Sequence, residues 1–378
     1  MDANQFIVMN GKELVFEPGE TILDVARRNG IDIPTLCYLK GASPTGACRI
    51  CLVEVEGARN LVASCATPAA ANMVVRTESP RIREARRLNL ELLLASGRHN
   101  CLVQEMDLES WADFQLKAMK GQDGGELCPA YGECRLQELA VKYQARPKGL
   151  PPTDTVYPVE DVNPFIVRDF SRCILCGRCV QACNEIQVNN AISYGYRGAQ
   201  SKIVAKGDLP LVNSDCVFCG ECVQACPVGA LVPKADYGTG RLPLEARKVR
   251  TTCPYCGVGC QIRLHVDDGK IVRVTGVQEV GPNYGSLCVK GRFGHDFVNH
   301  PDRLKKPLIK DGDRFREATW DEALDLVARR LGEIKEQAGP DALGLFTSAR
   351  ITNEENYLAQ KFARAVLGTN NVDHCARL

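Results

Sequence analysis

Polar and apolar residues alternate over residues 6–20, and this alternation predicts two β-strands. Asn10 and Gly11 interrupt the alternation, and this pair favours the tight turn of a β-hairpin. Thr21 is a typical N-terminal cap, so the apolar spacing that follows it predicts a short helix over residues 22–29. Two further strand-like runs lie at residues 51–55 and 73–76. The pattern therefore predicts a small domain of sheet and helix over residues 1–78.

A longer helical pattern begins at Ser79 and Pro80, a cap residue followed by a first-turn proline. Apolar residues recur at helical spacing as far as Ser96, which predicts an amphipathic helix that leads towards His99. Prolines then recur between residues 145 and 164 and exclude a regular helix there. Residues 146–163 are therefore expected to form a linker.

Helix-like and strand-like segments alternate from Gly312 onward, as at the beginning of an α/β domain. The predicted segments are a helix at residues 320–338, a strand at 342–347, a helix at 353–367 and a short strand at 371–372. No apolar run approaches the roughly 20 residues of a membrane-spanning helix. The first residues also lack the basic and apolar regions of a secretory signal. We therefore expect a cytoplasmic protein with no membrane span.

The cysteine content of the chain indicates metal binding, whereas its charge balance indicates no particular partner. The chain contains 47 Lys and Arg against 46 Asp and Glu, a net charge of +1, so no general attraction for nucleic acid is expected. It also contains 20 cysteines, and a reducing compartment disfavours disulfides, which leaves metal sites as the alternative. All but one of these cysteines fall into five sets with ligand-like spacing.

The first set predicts a [2Fe-2S] cluster, which requires four thiolate ligands. Its members are Cys37, Cys48, Cys51 and Cys65. Gly46 and Ala47 open a tight turn in front of Cys48, a placement that four ordinary core cysteines would not explain. A zinc site is the more serious alternative.

The second set combines one histidine with three cysteines: His99, Cys101, Cys128 and Cys134. It is the least regular set, because a helix of roughly twenty residues is expected between Cys101 and Cys128. A histidine that follows a helix is usually a surface or capping residue. His99 lies beside Cys101, however, and can supply the fourth ligand of a [4Fe-4S] cluster that three cysteines lack.

Two further runs repeat one cysteine spacing, which indicates a duplication. The runs are Cys173, Cys176, Cys179, Cys183 and Cys216, Cys219, Cys222, Cys226. This is the spacing of bacterial two-cluster ferredoxins, in which the fourth cysteine of each run binds the other cluster. Cys226 should therefore join the first three cysteines of the first run, and Cys183 those of the second. Asn184 follows Cys183 in the first run, whereas Pro227 follows Cys226 in the second. This difference affects a turn and leaves the four ligands of each run in place.

A fifth set predicts another [4Fe-4S] cluster, with the ligands Cys253, Cys256, Cys260 and Cys288. Gly257 and Gly259 form its loop, and a strand-like stretch at 261–274 precedes the fourth cysteine. A zinc ribbon would prefer two closely spaced pairs of cysteines, whereas the second half of this set has one cysteine. The sequence contains no glycine-rich nucleotide-binding loop, so a nucleotide site is not expected in it.

This order of sites resembles the catalytic (alpha) subunit of molybdenum- or tungsten-dependent formate dehydrogenases of the soluble, NAD-linked type. The resemblance covers residues 1–300, and residues 253–260 together with 287–291 are similar to the [4Fe-4S] domain of bis-pterin oxidoreductases. Residues 320–324 fit the same family. Two related families share the first half. The large iron–sulfur subunit of respiratory NADH dehydrogenase generally lacks the two-cluster ferredoxin, and iron-only hydrogenases lack the Cys260 to Cys288 pattern.

The resemblance implies a multidomain α+β fold. The expected domains are a β-grasp [2Fe-2S] domain (1–78), a [4Fe-4S] domain with one His and three Cys ligands (79–145), a linker (146–163), a two-cluster ferredoxin domain (164–245), a molybdopterin oxidoreductase [4Fe-4S] domain (246–306) and an incomplete α/β catalytic domain (307–378). The implied cofactors are one [2Fe-2S] cluster, four [4Fe-4S] clusters and, in the full-length enzyme, Mo- or W-bis(molybdopterin guanine dinucleotide).

The resemblance also implies a reaction and a partner. Formate would be oxidised to carbon dioxide, and electrons would pass singly through the clusters to a flavin- and NAD-binding diaphorase-type subunit. A hydrogenase or a ferredoxin is the alternative partner. Lys290 would lie between the last cluster and the proximal pterin and help electrons pass. The alternative function is a stand-alone iron–sulfur electron-transfer subunit of an NADH dehydrogenase or hydrogenase complex.

Residues 370–378 resemble the segment just before the metal-ligating selenocysteine of formate dehydrogenases. We therefore expect selenocysteine directly after Leu378, encoded by an in-frame UGA codon that was read as a stop. An ordinary stop codon, or no reading frame beyond codon 378, would contradict this expectation. On the same expectation, the 378-residue chain carries clusters but has no formate activity. Cys375 lies outside the five sets and is predicted to be a small buried residue.

Overall fold

The computed structural model of the protein describes residues 5–97, 99, 112, 128–147, 149–150, 157–237 and 246–375. Two of the predicted positions, Cys101 and Leu378, lie outside the described residues. The chain forms two compact units, Met1–Ala246 and Arg247–Leu378. None of the described helices is long and apolar enough to cross a membrane.

The first unit begins with a five-stranded sheet and a short helix. The strands are β1 (Phe6–Met9), β2 (Lys12–Val15), β3 (Leu52–Val55), β4 (Val62–Ala63) and β5 (Val74–Arg76), in the spatial order β2-β1-β5-β3-β4. The predicted hairpin is confirmed, because β1 and β2 pair antiparallel around Asn10 and Gly11. Helix α1 (Ile22–Arg28) begins as predicted at Thr21, which forms a reciprocal capping box with Asp24.

The core of this sheet places two of the predicted ligands. Ile7, Met9 and Val53 are fully buried and belong to one apolar cluster with Cys51 and Cys65. Alternate residues of β1, Ile7 and Met9, are buried in the cluster that also contains the apolar residues of α1, as the period of two requires. The two cysteines are thus part of a packed core rather than on free loops.

The predicted amphipathic helix is confirmed as α2 (Pro80–Ala95), which packs against α3 (Arg135–Tyr143). Ser79 caps α2 by accepting a hydrogen bond from the Ile82 amide, and Pro80 occupies the first turn. Arg86 of α2 is 1% exposed and ties the helix to its surroundings. Its guanidinium donates to the carbonyls of Leu52 and Thr77, the Tyr143 hydroxyl and the Glu78 carboxylate. One buried side chain thus joins α2 to the sheet and to α3.

Replacing Arg86 with methionine should lower the free energy of unfolding by roughly 3 kcal/mol, because several buried acceptors lose their donor at once. Arg83→Met is the matched control. Arg83 pairs with the same Glu78 at 3.1 Å, but its side chain is 56% exposed, so its loss should cost less than about 1 kcal/mol. Chemical unfolding followed by circular dichroism measures both. Equal losses in the two variants would show that the buried network contributes nothing beyond the ion pair.

The rest of the first unit consists of short elements around the two repeated cysteine runs. They are β6 (Ile166–Arg168), α4 (Arg178–Gln181), β7 (Ile192–Gly195), β8 (Lys202–Ala205), α5 (Glu221–Ala225) and β9 (Leu231–Pro233). The strands pair antiparallel as β6 with β9 and β7 with β8. Helices α4 and α5 occupy equivalent places in the two runs, as the duplication predicts. Helix α4 continues into a π-helix, Ala182–Ile186, which contains Cys183.

A second hydrophobic core of the first unit, separate from the one under the five-stranded sheet, contains cysteines from three predicted cluster sites. Cys37, Cys128, Cys134 and Cys176 are all buried in it, and Cys226 packs against it. This core joins residues from three of the predicted domains. The boundaries predicted inside residues 1–246 stay predictions.

The second unit begins with a three-stranded antiparallel sheet and continues into helices. Its elements are β10 (Arg247–Thr252), β11 (Gln261–Asp267), β12 (Lys270–Gly276), α6 (Val289–Phe293), β13 (Leu308–Asp311), β14 (Arg314–Glu317), α7 (Trp320–Ala338), β15 (Leu345–Ser348), α8 (Asn353–Phe362) and β16 (Val372–Cys375). The strand order is β10-β11-β12, β13 pairs with β14, and β15 pairs in parallel with β16. A π-helix, Ala363–Leu367, extends α8.

The alternation of helix and strand predicted beyond Gly312 is confirmed, with two corrections. The strand predicted at residues 342–347 begins only at Leu345, because Pro340–Ala342 forms a 3-10 turn. The last strand runs over Val372–Cys375. The prediction that Cys375 is buried is wrong: Cys375 is exposed, since its strand has a paired neighbour on one side within the described residues.

Candidate iron–sulfur sites

The first set of cysteines meets at one end of the five-stranded sheet. Cys51 directly precedes β3 and Cys65 follows β4, and their Sγ atoms lie 3.3 Å apart. The thiol of Cys37 is hydrogen-bonded to those of Cys48 and Cys65. Cys37, Cys51 and Cys65 are at most 1% exposed, and Cys48 is partly buried. All four predicted [2Fe-2S] ligands therefore come together in one shielded place.

Close contact among these thiols changes their pKa values. The hydrogen bond with Cys48 holds the pKa of Cys37 far below the usual thiol range, and the hydrogen bond with Cys65 lowers the pKa of Cys51 to about 6. The pKa of each of the other two thiols is raised by its hydrogen bond with Cys37. The four thiols thus share hydrogen bonds and charge, and iron would bind them as thiolates.

The second set is described at three of its four members. His99 lies just beyond α2, and its Nε2 atom is buried with no hydrogen-bond partner among the described residues. Burial, and secondarily the charge of Arg172, lowers the pKa of His99 to about 4, so the imidazole is neutral at pH 7. A neutral imidazole with an unused nitrogen is suited to ligate a metal.

Cys128 and Cys134 of this set pack on the segment that follows Cys226. A Cβ atom added to Gly229 would lie 2.5 Å from the Cys128 Sγ, so the chain passes close beside this thiol only because residue 229 is glycine. The Cys134 Sγ lies 3.6 Å from the Pro227 carbonyl. Burial raises the pKa of Cys128, which also interacts electrostatically with Arg172 and Asp169, the charges that act on His99. His99 and Cys128 therefore face one common region.

Replacing His99 with alanine should remove the [4Fe-4S] cluster predicted here, because the site loses one of four ligands, and iron content should fall by about four atoms. His99→Cys should keep the cluster but lower its reduction potential, since a thiolate adds negative charge where the imidazole was neutral. Iron analysis and electron paramagnetic resonance (EPR) redox titration measure these effects. His300→Ala is the control, because His300 is exposed. An unchanged iron content in His99→Ala would contradict His99 as a ligand.

The four thiols predicted for the first ferredoxin-type set lie close together. Cys226 contributes to the electrostatic environment of Cys173, Cys176 and Cys179, and all four thiols line one apolar cavity. Burial raises the pKa of Cys173 to about 11 and that of Cys176 to about 12. The thiols of this set would ionise only with a compensating positive charge, which cluster iron supplies.

The second ferredoxin-type set is less buried. Burial raises the pKa of Cys216, and the nearby charges that act on it belong to Cys219, Cys183 and Arg168. Cys183 thus lies with the second run although it belongs to the first. Cys222 lies in α5, which Gly220 precedes, and also lines the cavity of the first set.

The fifth set lies at the end of the three-stranded sheet in the second unit. The amide of Cys253 donates to the Cys260 carbonyl at 2.8 Å, which closes the loop between β10 and β11. Burial raises the pKa values of both thiols, and both feel the charges of Cys256 and Cys288. Cys288 is exposed at the N-terminus of α6, and Lys290 is exposed in that helix.

The donor atoms fit iron–sulfur clusters. Four sets offer four cysteine sulfurs each. The His99 set offers three cysteine sulfurs and one imidazole nitrogen. No group of three or more His, Cys, Asp or Glu in the described ranges is arranged for a single metal ion. A four-iron cluster spreads its ligands more widely than one ion does. The assignment of individual ligands stays a prediction.

Sequence reasoning missed three polar residues beside these thiols. Arg172 donates from Nε to Asp169 at 2.7 Å and influences both His99 and Cys128. Arg178 lies between Cys176 and Cys179 in the sequence and interacts with thiols of two different sets. The available signal is the presence of arginines inside and directly before a cysteine run.

Four segments match known domain families. Residues 6–80 match the 2Fe-2S iron-sulfur cluster binding domain, and residues 172–230 match the 4Fe-4S dicluster domain. Residues 246–300 match the molybdopterin oxidoreductase Fe4S4 domain, and residues 303–378 match molybdopterin oxidoreductase itself. The chain belongs to the molybdopterin oxidoreductase family. Within that family it carries 2Fe-2S and 4Fe-4S domains ahead of the molybdopterin segment, in a mixed α/β fold.

Relatives of this oxidoreductase carry different names. "Putative formate dehydrogenase YrhE" of Bacillus subtilis (strain 168) is 35% identical over 100% of this chain and 40% of its own length. A relative from Rhizobium meliloti (strain 1021), named as one of the subunits of an NADH-quinone oxidoreductase, is 36% identical over 98% of this chain and 40% of its own length. The chain thus spans about 40% of the length of these curated relatives.

A solved structure resembles the oxidoreductase over its larger part. It is a chain of the "NAD+-reducing [NiFe]-hydrogenase in the H2-reduced state", with a TM-score of 0.52 and 30% sequence identity. The match covers 63% of this chain and 90% of the hydrogenase chain. The larger part of this chain is therefore similar both to molybdopterin-family relatives and to a hydrogenase chain.

Proposed function

We propose that this chain is the iron–sulfur part of a formate dehydrogenase catalytic subunit and carries electrons from formate oxidation to an NAD-reducing partner. The observation that supports the proposal most is one core cluster in which cysteines of three predicted cluster sites are packed together. The molybdopterin segments that follow suggest where electrons enter. The relative named as a formate dehydrogenase, which aligns with the whole chain, suggests the substrate.

The proposed ligands are those of the five sets. They are Cys37, Cys48, Cys51 and Cys65; His99, Cys101, Cys128 and Cys134; Cys173, Cys176, Cys179 and Cys226; Cys216, Cys219, Cys222 and Cys183; and Cys253, Cys256, Cys260 and Cys288. The first would hold a [2Fe-2S] cluster and the other four would hold [4Fe-4S] clusters, which supply one-electron transfer when bound. A Mo- or W-bis-pterin group would be the electron donor in the full-length enzyme.

Residues of the chain itself would set the conditions for transfer. Buried apolar side chains around Cys176 and Cys226 exclude water, and low exposure is one of the factors that set cluster potentials. Lys290 follows the last ligand by two positions, so an extended side chain there could reach a group beside the fifth cluster. We propose that Lys290 helps electrons pass from the pterin, and that the protein is cytoplasmic.

Formate-dependent reduction of the protein expressed from its own gene locus tests this function. Anaerobically purified protein should contain about 18 iron atoms per chain. Formate should bleach the visible absorption of the clusters and produce EPR signals of reduced iron–sulfur centres. NADH should form when a flavin- and NAD-binding subunit is added with NAD. Loaded clusters that formate never reduces would contradict the proposal.

The second candidate is an iron–sulfur subunit that connects a diaphorase to another enzyme. It is favoured by the hydrogenase chain, of which this chain covers 90%, and by the relative named for an NADH-quinone oxidoreductase. The same experiment separates the two. Reduction of the clusters by NADH through the partner, or by hydrogen in the presence of a hydrogenase, with no response to formate, would favour the second candidate.

A further inference from the structure

Arg178 stands where two predicted cluster sites approach each other. It is the first residue of α4, between the ligands Cys176 and Cys179. Its charge interacts with Cys176 and Cys226 of the first ferredoxin-type set and also with Cys37 of the [2Fe-2S] set. Cys37 and Cys176 are buried in the same core. One arginine is thus within electrostatic reach of two different sites.

The loop that follows Cys37 packs against the helix that begins with Arg178. The backbone amide of Ser43 donates to the Glu185 carboxylate at 2.7 Å, and the side-chain amide of Gln181 donates to the Ser43 carbonyl. A Cβ added to Gly41 would lie 3.5 Å from the Ile186 side chain. These contacts fix the position of the [2Fe-2S] loop relative to α4 and the π-helix. The closeness of Arg178 to both sites is therefore a property of a packed interface.

Arg178 has no protein counter-charge in the described part of the chain. No described carboxylate pairs with it, and its Nε is buried without a hydrogen-bond partner. The cation that acts electrostatically on Arg178 is Arg135, and Arg135 forms an ion pair with Glu138. A half-buried cation without a partner is costly unless another negative group compensates it. Clusters held by four thiolates are anionic, and they are the negative groups that the geometry offers.

We propose that Arg178 is a positioning residue that raises the reduction potentials of two clusters at once, the [2Fe-2S] cluster of the Cys37 set and the [4Fe-4S] cluster of the Cys173 set. One-electron reduction makes a cluster more negative, so a fixed cation beside it stabilises the reduced form. Arginine keeps its charge throughout, so no proton transfer is involved. This inference rests on the proposed function, because it requires that both clusters bind.

EPR-monitored redox titration of the full, cluster-loaded protein tests the proposal. Arg178→Gln should make both clusters about tenfold harder to reduce, which corresponds to about 59 mV for a one-electron couple. Arg178→Lys should restore both potentials, because it returns the charge. Arg197→Gln is the matched control: it removes the same charge from an exposed position in the same unit and should leave both potentials unchanged.

Three outcomes would overturn the proposal. Neither potential shifts in Arg178→Gln, only one of the two shifts, or Arg197→Gln shifts both equally. Should Arg178→Gln fail to retain its clusters, pulsed EPR of the unmodified protein gives an independent test. The reduced [2Fe-2S] cluster must then show spin coupling to the neighbouring [4Fe-4S] cluster, and its absence would overturn the shared position. Unmodified protein without iron would contradict the proposed function itself, a result that iron analysis distinguishes from unshifted potentials.

Discussion

Replacing Cys226 with serine should remove the [4Fe-4S] cluster predicted for the first cysteine run, although Cys226 belongs to the second run. The thiol of Cys226 acts electrostatically on Cys173, Cys176 and Cys179, and it lines the same cavity. Serine offers no thiolate, so three ligands would remain and iron content should fall by about four atoms. Iron and sulfide analysis with EPR of the reduced protein measures the loss.

Cys183→Ser is the matched variant, because Cys183 belongs to the first run but lies with Cys216 and Cys219. It should remove the other ferredoxin-type cluster. The EPR signal that Cys183→Ser removes should be the one that Cys216→Ser removes, and it should differ from the signal that Cys226→Ser removes. Identical losses in Cys183→Ser and Cys173→Ser would show that each run keeps its own fourth ligand, and the crossed assignment would then be wrong.

Replacing Gly276 with alanine should destabilise the second unit and also lower the occupancy of the fifth cluster. A Cβ at residue 276 would lie 1.9 Å from the Gly285 carbonyl oxygen, an approach that no side-chain rotation relieves. The backbone must move, at a cost of about 3 kcal/mol or more. Gly285 precedes the ligand Cys288 by three residues, so the displacement should reach the cluster. Thermal unfolding and iron content measure the two effects.

Gly332→Ala is the control for this prediction. Gly332 lies inside α7, and nothing stands within 4 Å of an added Cβ. Alanine favours a helix more than glycine does, so this variant should be more stable by about 0.5–1 kcal/mol and keep its iron. Full iron content in a stable Gly276→Ala variant would contradict the close backbone approach.

The sequence predicted most local elements because their signals are local. Thr21 and Ser79 each cap a helix where a cap residue precedes an apolar period. Asn10 and Gly11 form the predicted hairpin turn. Short cysteine spacings such as Cys48 to Cys51 and Cys253 to Cys256 place two thiols on one loop, which is also a local signal.

Properties that depend on distant packing could not be predicted in the same way. The core shared by Cys37, Cys128 and Cys176 joins segments far apart in the chain, and no periodic signal encodes that meeting. The exposure of Cys375 also follows from which strands pair, which the prediction of a buried residue did not consider. The interaction of Arg178 with Cys37 has the same origin. The sequence around an arginine in a cysteine run does not indicate which distant loop packs against it.

The core cluster that contains Cys37, Cys128 and Cys176 also bears on how the protein is made. Cysteines of three predicted sites are packed with the same apolar side chains, so none of these sites closes until segments from all three regions have been synthesised. We therefore expect iron insertion to follow translation of the whole region rather than to proceed domain by domain. A defect at one site should impair maturation of its neighbours, and the delivery machinery would meet an open, thiol-rich intermediate that oxygen can attack.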